Sequence, residues 1–252
     1  SYMDNNVISY YLFEHLPFTL ALIAHFLFFF HFQSQAVANQ KKVNFKALLT
    51  HLFWVGVPLL MIAIIFPFRI DSFFFEVWLA HFAIDFIKYF LTKKGFIKPI
   101  WEKYVFLIDQ ILHLVAIFLI YDQYAYTAVV LDAPKAEYPA FPIFNILLLL
   151  VLITKPVNIV FKLFFSKYQP KVGEEAPKTK AGAGALIGQL ERLTMAIFLI
   201  WGQFAAIGLV FTAKSIARFD RISKDQGFAE YYLIGSLFSI ISVLIVYALL
   251  VL

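Results

Sequence analysis

FFFEVWLAHFAIDFIKYFLT at residues 73–92 and PIWEKYVFLIDQILHLVAIFLIY at residues 99–121 decide the fold. Each is a mostly apolar run, and a helix needs about 20 such residues to cross a hydrocarbon core of about 30 Å. Lys93, Lys94, Gly95 and Lys98 form a short polar break between them, so the pair reads as an antiparallel helical hairpin. The first run holds His81 and Asp85, the second Asp109 and His113. Both pairs have i, i+4 spacing, which puts each on one helix face. Their order is reversed. For a hairpin centred on Ile97, His81 therefore lies level with His113 and Asp85 level with Asp109.

Working outward, five more apolar runs cover roughly residues 8–32, 43–67, 140–166, 184–213 and 228–252. The expected fold is all-α, a polytopic transmembrane helix bundle of about seven spans. Composition agrees. Of 252 residues, 62% are hydrophobic and 15% charged, against about half and a quarter in soluble domains, and the mean hydropathy is +0.80. A water-soluble enzyme, a disordered chain and a nucleic-acid-binding domain are excluded. The charge of +5, from 21 basic and 16 acidic residues, reports loops beside anionic lipid. There is no cysteine, hence no disulfide, thiol catalysis or thiolate metal site. Ser1 and Tyr2 ahead of Met3 read as an expression scar, and no cleavable signal is evident.

Lysine placement sets the expected orientation. Lys41 and Lys42, then Lys93, Lys94 and Lys98, then Lys167, Lys171, Lys178 and Lys180 follow the odd-numbered spans, while Asp122, Asp132 and Glu137 outweigh Lys135 after the fourth. The N-terminus is expected outside. Lys214, Arg218, Arg221 and Lys224 break the pattern, because a full span at 184–213 would carry them outside. Three segments are expected: a five-span bundle at 1–168, a Lys/Gly/Ala/Pro linker at 169–183, and a two-span segment at 184–252. A weak parallel repeat pairs Ala24-His25-Phe26 with Ala80-His81-Phe82, and Leu49-Thr50-His51-Leu52 with Ile111-Leu112-His113-Leu114.

The chemistry lies in the third and fourth spans. Asp85 is eight residues from Lys93, roughly 12 Å inside the boundary at 1.5 Å per residue. Ionised carboxylates at that depth need a shared proton, a cation or a water-filled cavity. His81, Asp85, Asp109 and His113 are a candidate first shell for zinc, manganese or iron. His51 and His25 lie near enough in depth to join it, Lys88 is an alternative counter-charge, and Gln110 adjoins Asp109. Lys155, beside Pro156 in the fifth span, lies at a similar depth. Three readings stay open: polar residues that satisfy one another across helices, a metal site, and a proton or ion path. Lys214, Arg218 and Glu230 form a second candidate, a clamp for an anionic headgroup or substrate in which Arg218 pairs with Glu230 and Lys214 meets the ligand.

His81-x-x-x-Asp85-x-x-Lys88 and Asp109-Gln110-x-x-His113 resemble a bacterial inner-membrane family catalogued as domain of unknown function 3307. So do Ile187-Gly188-x-Leu190-Glu191-Arg192-Leu193, Gly202-Gln203, Ala213-Lys214-Ser215-Ile216-Ala217-Arg218-Phe219 and Glu230-Tyr231-x-Leu233-Ile234-Gly235. The resemblance implies a second His-x-x-x-Asp on the first helix, where this chain has His25 followed by Phe29. It implies no activity. Intramembrane aspartyl proteases, prenyl-protein proteases and desaturases are excluded by their missing motifs. The expected function is a metal-dependent membrane hydrolase using the His/Asp layer. The alternatives are a proton- or ion-coupled transporter with that layer as relay, and a structural or partner-binding subunit. Membrane lipids are the expected partners, with a protein partner or a second copy as further candidates.

Overall fold

The computed structural model describes residues 6–33, 35–66, 70–126, 142–170 and 180–252. Asp132, Lys135, Glu137 and most of the 169–183 linker lie outside them. The described residues are helices and turns, and they divide into two compact units: residues 7–148, and residues 149–252 together with Asn6. The division falls inside the fifth apolar run, ahead of the linker.

The first unit opens with α1 (Val7–Glu14) and α2 (Leu16–Phe26), which continues as a π-helical turn (Leu27–Phe32). The expected span at 8–32 is not straight: α1 and α2 meet at 98°. Pro17 accounts for the bend: it has no N–H to bond back into α1 and sits in the first turn of α2, where none is needed, so a new helix starts after His15. A short α3 (Gln35–Gln40) leads to α4 (Phe45–Ile65), whose first amides are capped by the Asn44 side chain at 2.9 and 3.3 Å. Then come α5 (Asp71–Lys93) and α6 (Glu102–Asp122). Gly95, at φ 76°, turns α5 into α6; the Phe96 amide reaches back to Leu91 and that of Gly95 to Thr92, both at 3.0 Å.

Each long helix buries one stripe at spacings of three and four. The stripes are Leu48, His51, Leu52, Val55 and Leu59 on α4; Phe73, Val77, His81, Asp85 and Tyr89 on α5; and Asp109, His113, Ile117 and Tyr121 on α6. The polar residues thus occupy the same stripes as the core. The outer faces carry exposed Phe53, Trp54, Leu60, Ile64, Phe75, Ile87, Ile111 and Leu119. Apolar side chains exposed along whole helices are a lipid-facing surface. Residues 45–65, 99–122, 143–168, 183–200 and 226–250 are long and apolar enough to cross a membrane, as is the bent α1–α2 pair. Helix α5 has 23 residues and packs between α4 and α6, although Glu76, Asp85 and Lys88 lower its apolarity. The chain is a multi-pass membrane protein, and an expectation of about seven spans fits this set.

Helix α7 (Ile143–Ile153) leads through a break at Thr154 into α8 (Lys155–Phe165). The second unit continues with α9 (Ala183–Ile200), α10 (Ala206–Ala217), α11 (Phe219–Lys224) and α12 (Gln226–Leu250). The expected single span at 184–213 is corrected here. Gly202, at φ 71°, ends α9 as Gly95 ends α5: the Gln203 amide reaches Phe198 at 2.7 Å and that of Gly202 reaches Leu199 at 3.0 Å. The chain then folds back, so Lys214 of α10 meets Glu191 of α9 at 2.7 Å. Helix α12 runs parallel to α9: Ser239 accepts from Arg192 at 2.9 Å, and the Tyr247 hydroxyl donates to the Leu199 carbonyl at 3.1 Å. Lys214 therefore lies level with the middle of α9, and Arg218, Arg221 and Lys224 lie towards the end of the unit where α9 begins. Helix α8 ends there too, since Asn158 bonds the Ala185 carbonyl at 3.0 Å and Gly227 packs on Pro170. The apparent breach of the lysine pattern came from reading two antiparallel helices as one.

Candidate metal centre

The reversed i, i+4 pairs do meet. The rings of His81 and His113 lie 4.4 Å apart, and the Asp85 and Asp109 carboxylates approach within 4.8 Å. His51 enters from α4, its ring 5.5 Å from that of His81, and His25 from α2, its ring 5.1 Å from that of His113. The four histidines of the weak repeat thus form one layer, with both aspartates and every ring buried.

Asp85 is the hub. Its Oδ2 faces His51 Nε2 at 3.0 Å and His81 Nε2 at 3.4 Å. Its Oδ1 faces His113 Nε2 at 3.8 Å. Lys88 bridges the two carboxylates, 3.3 Å from Asp85 and 2.6 Å from Asp109. The Gln110 side chain links Asp109, at 3.4 Å, to His25 Nε2, at 3.2 Å. Nδ1 of His113 bonds the Asp109 carbonyl at 2.7 Å. Since a carbonyl only accepts, the ring donates through Nδ1, and Nε2 keeps its lone pair turned towards Asp85. Among the described residues His113 Nε2 has no hydrogen-bond partner. Two acceptors facing each other in a buried space require a cation or a proton between them.

Lys41 is the participant that sequence reading missed. Its place in the sequence is that of a loop cation, but it is only 4% exposed, with Nζ 3.1 Å from His51 Nε2 and 3.4 Å from Asp85 Oδ2. Burial pushes its ammonium down to about 8, although Asp85 pulls the other way. Charge arithmetic was the available signal. Two buried carboxylates call for two cations, and Lys88 supplies one. Phe29, four residues after His25, lies against both ammonium groups, at 4.9 Å from Lys41 and 6.0 Å from Lys88. It projects from the π-helical turn, a feature often found at functional sites.

Towards α1 the polar layer ends in an apolar cavity of about 20 Å³, lined by Ala21, Ala24, Val55, Leu59, Val77 and Ile117 and floored by His25, His81 and His113. It has room for about one water molecule.

The remaining predicted residues lie in the second unit. Lys155 opens α8 at the helix break. Lys214 is held by Glu191 and donates to Ser236 at 3.2 Å. Glu230 accepts from Gln226 at 3.0 Å, and among the described ion pairs it has none with Arg218. Arg192, part of the C-terminal motif, is buried, bonding the Ile153 carbonyl, the Thr154 carbonyl at 3.1 Å and the Asn158 side chain.

Every residue of the His/Asp layer lies between His25 and His113. Residues 17–136 match the family model described as protein of unknown function (DUF3307). The matched segment contains the whole layer and both hairpins, whereas the C-terminal motifs that carried part of the resemblance lie beyond it. No curated protein and no solved structure matches the chain.

Proposed function

We propose that the DUF3307 segment is a membrane-embedded metal-dependent hydrolase acting on an amphiphile, with His81, Asp85, Asp109 and His113 binding zinc, manganese or iron. The observation that carries this reading is the buried convergence of ring nitrogens and carboxylate oxygens around Asp85, with a free lone pair on His113. A bound ion would lower the pKa of a coordinated water and make it the nucleophile. We place the chain in a bacterial inner membrane with its N-terminus outside. The lysines then face the cytoplasm, including those of the corrected C-terminal unit. On that reading the site lies in the cytoplasmic half of the bilayer, within reach of an ester or phosphoester bond near the headgroups.

The chain of contacts from His25 through Gln110, Asp109, Lys88 and Asp85 to Lys41 also suits a proton relay. It stops at the apolar wall of Val55, Leu59 and Ile117, and a relay serving transport would have to cross the membrane. The one-sided site therefore favours hydrolysis. The test is turnover of ester- and phosphoester-bearing amphiphiles in mixed micelles with zinc, manganese or ferrous iron added. Metal-dependent turnover lost in Asp85→Asn and His113→Ala is expected. Turnover that persists in both variants, or none with any of the three metals, contradicts the reading.

A further inference from the structure

Asp85 turns its two oxygens towards two separate donor sets. On one side His51 Nε2, His81 Nε2 and Asp85 Oδ2 form a triangle with edges of 3.0, 3.3 and 3.4 Å. Four ligands placed tetrahedrally at about 2.0–2.1 Å from a zinc ion stand about 3.3–3.4 Å from one another. The triangle thus has the dimensions of one face of such a site. Lys41 Nζ borders two of its corners, 3.1 Å from His51 and 3.4 Å from Asp85. On the other side His113, Asp109 and Asp85 bring their donor atoms within 4.8 Å of one another, and there Lys88 Nζ lies between the carboxylates.

Each oxygen of Asp85 therefore has one ammonium group against it, and each ammonium marks a place where positive charge is needed. We infer that the site takes two divalent transition-metal ions bridged by the carboxylate of Asp85, one held with His51 and His81, the other with Asp109 and His113. The inference rests on the metal reading above and adds its stoichiometry. It also assigns His51 as a ligand and gives Lys41 and Lys88 the role of charges displaced when metal enters. The first position has two imidazoles and one carboxylate and suits zinc. The second has two carboxylates and one imidazole and accepts manganese more readily. Two ions about 3.5–4 Å apart can clamp both the attacking and the leaving oxygen of a hydrolytic displacement.

The test uses the full chain in detergent, loaded with excess zinc, desalted and measured by elemental analysis. Wild type should hold two equivalents. His51→Ala and His113→Ala should each hold one, and Asp85→Asn fewer than one. Size-exclusion profiles and melting temperatures identify any variant that fails to fold. If Asp85→Asn does so, the two histidine variants, on different helices and in different donor sets, carry the test. Manganese-loaded wild type should give a spin-coupled paramagnetic resonance signal, and both single-histidine variants an uncoupled one. One equivalent in wild type that His51→Ala leaves in place overturns the two-ion inference but leaves a mononuclear hydrolase standing. No bound metal in wild type overturns both.

Discussion

Asp85 and Arg192 are each buried in an apolar helix bundle, one in each unit, and their surroundings differ. Arg192 directs its donors to groups that need them: the carbonyls of Ile153 and Thr154 at the helix break, Asn158 and Ser239. Pro156 cannot donate to the preceding turn, and Arg192 supplies hydrogen bonds at that interruption. Its neighbour Glu191 is matched with Lys214. In the Asp85 layer two carboxylates face two ammonium groups and a ring of imidazoles, and His113 Nε2 is left facing an oxygen. A buried charge whose bonds close on the backbone is a scaffold. One surrounded by converging ring nitrogens and carboxylate oxygens has the donor set that the metal proposal calls for.

The scaffold half of that comparison predicts the largest effect. Arg192→Met leaves two buried carbonyls without their donor and should destabilise the full chain by about 3 kcal/mol or more. Thermal unfolding in detergent measures this, and a melting temperature equal to wild type would break the comparison. In the site half, Asp109→Asn leaves Lys88 with less compensation and should cost about 2–3 kcal/mol. Adding Lys88→Met should recover most of that loss, and a double-mutant cycle with no coupling would show that the two do not act as a pair. The two helix-ending glycines come next. Both have positive φ and open space where a side chain would begin, so Gly95→Ala and Gly202→Ala should each cost about 1–2 kcal/mol. A markedly smaller loss at Gly202 would argue against the fold-back of α10.

One further effect concerns pH. Burial pushes the Lys41 ammonium down to about 8 from its ordinary 10.5, so the unfolded chain binds more protons between those values. Stability should rise with pH across that window, fully gained above about 10.5, and the rise should flatten in Lys41→Met. Melting temperatures at pH 7.5, 9 and 10.5 measure it, and identical slopes in wild type and variant would remove Lys41 from the buried layer.

How much of this the sequence discloses follows from where charge lies along the chain. The α5–α6 turn is legible because Gly95 sits among lysines, and the level pairing follows from reversed i, i+4 spacings across that turn. Gly202 makes the same turn between Trp201 and Gln203-Phe204-Ala205. With no charge to mark it, two antiparallel helices read as one span and the cations after them were sent to the wrong end. His51 could be placed by depth. For Lys41 the charge balance called for a second cation beside Lys88, but nothing in a polar loop shows which lysine folds its side chain inward. The bend at His15 is encoded by Pro17, but an apolar run long enough to span concealed it.

The central claim is that Asp85 organises a metal centre. Zinc-edge X-ray absorption on the zinc-loaded full chain tests it most directly. The account predicts a nitrogen/oxygen shell at about 2.0–2.1 Å with the outer-shell scattering of imidazole, strongly reduced in Asp85→Asn and retained in any Arg192 variant that folds. Bound zinc with no imidazole scattering, or a spectrum unchanged by Asp85→Asn, would contradict it.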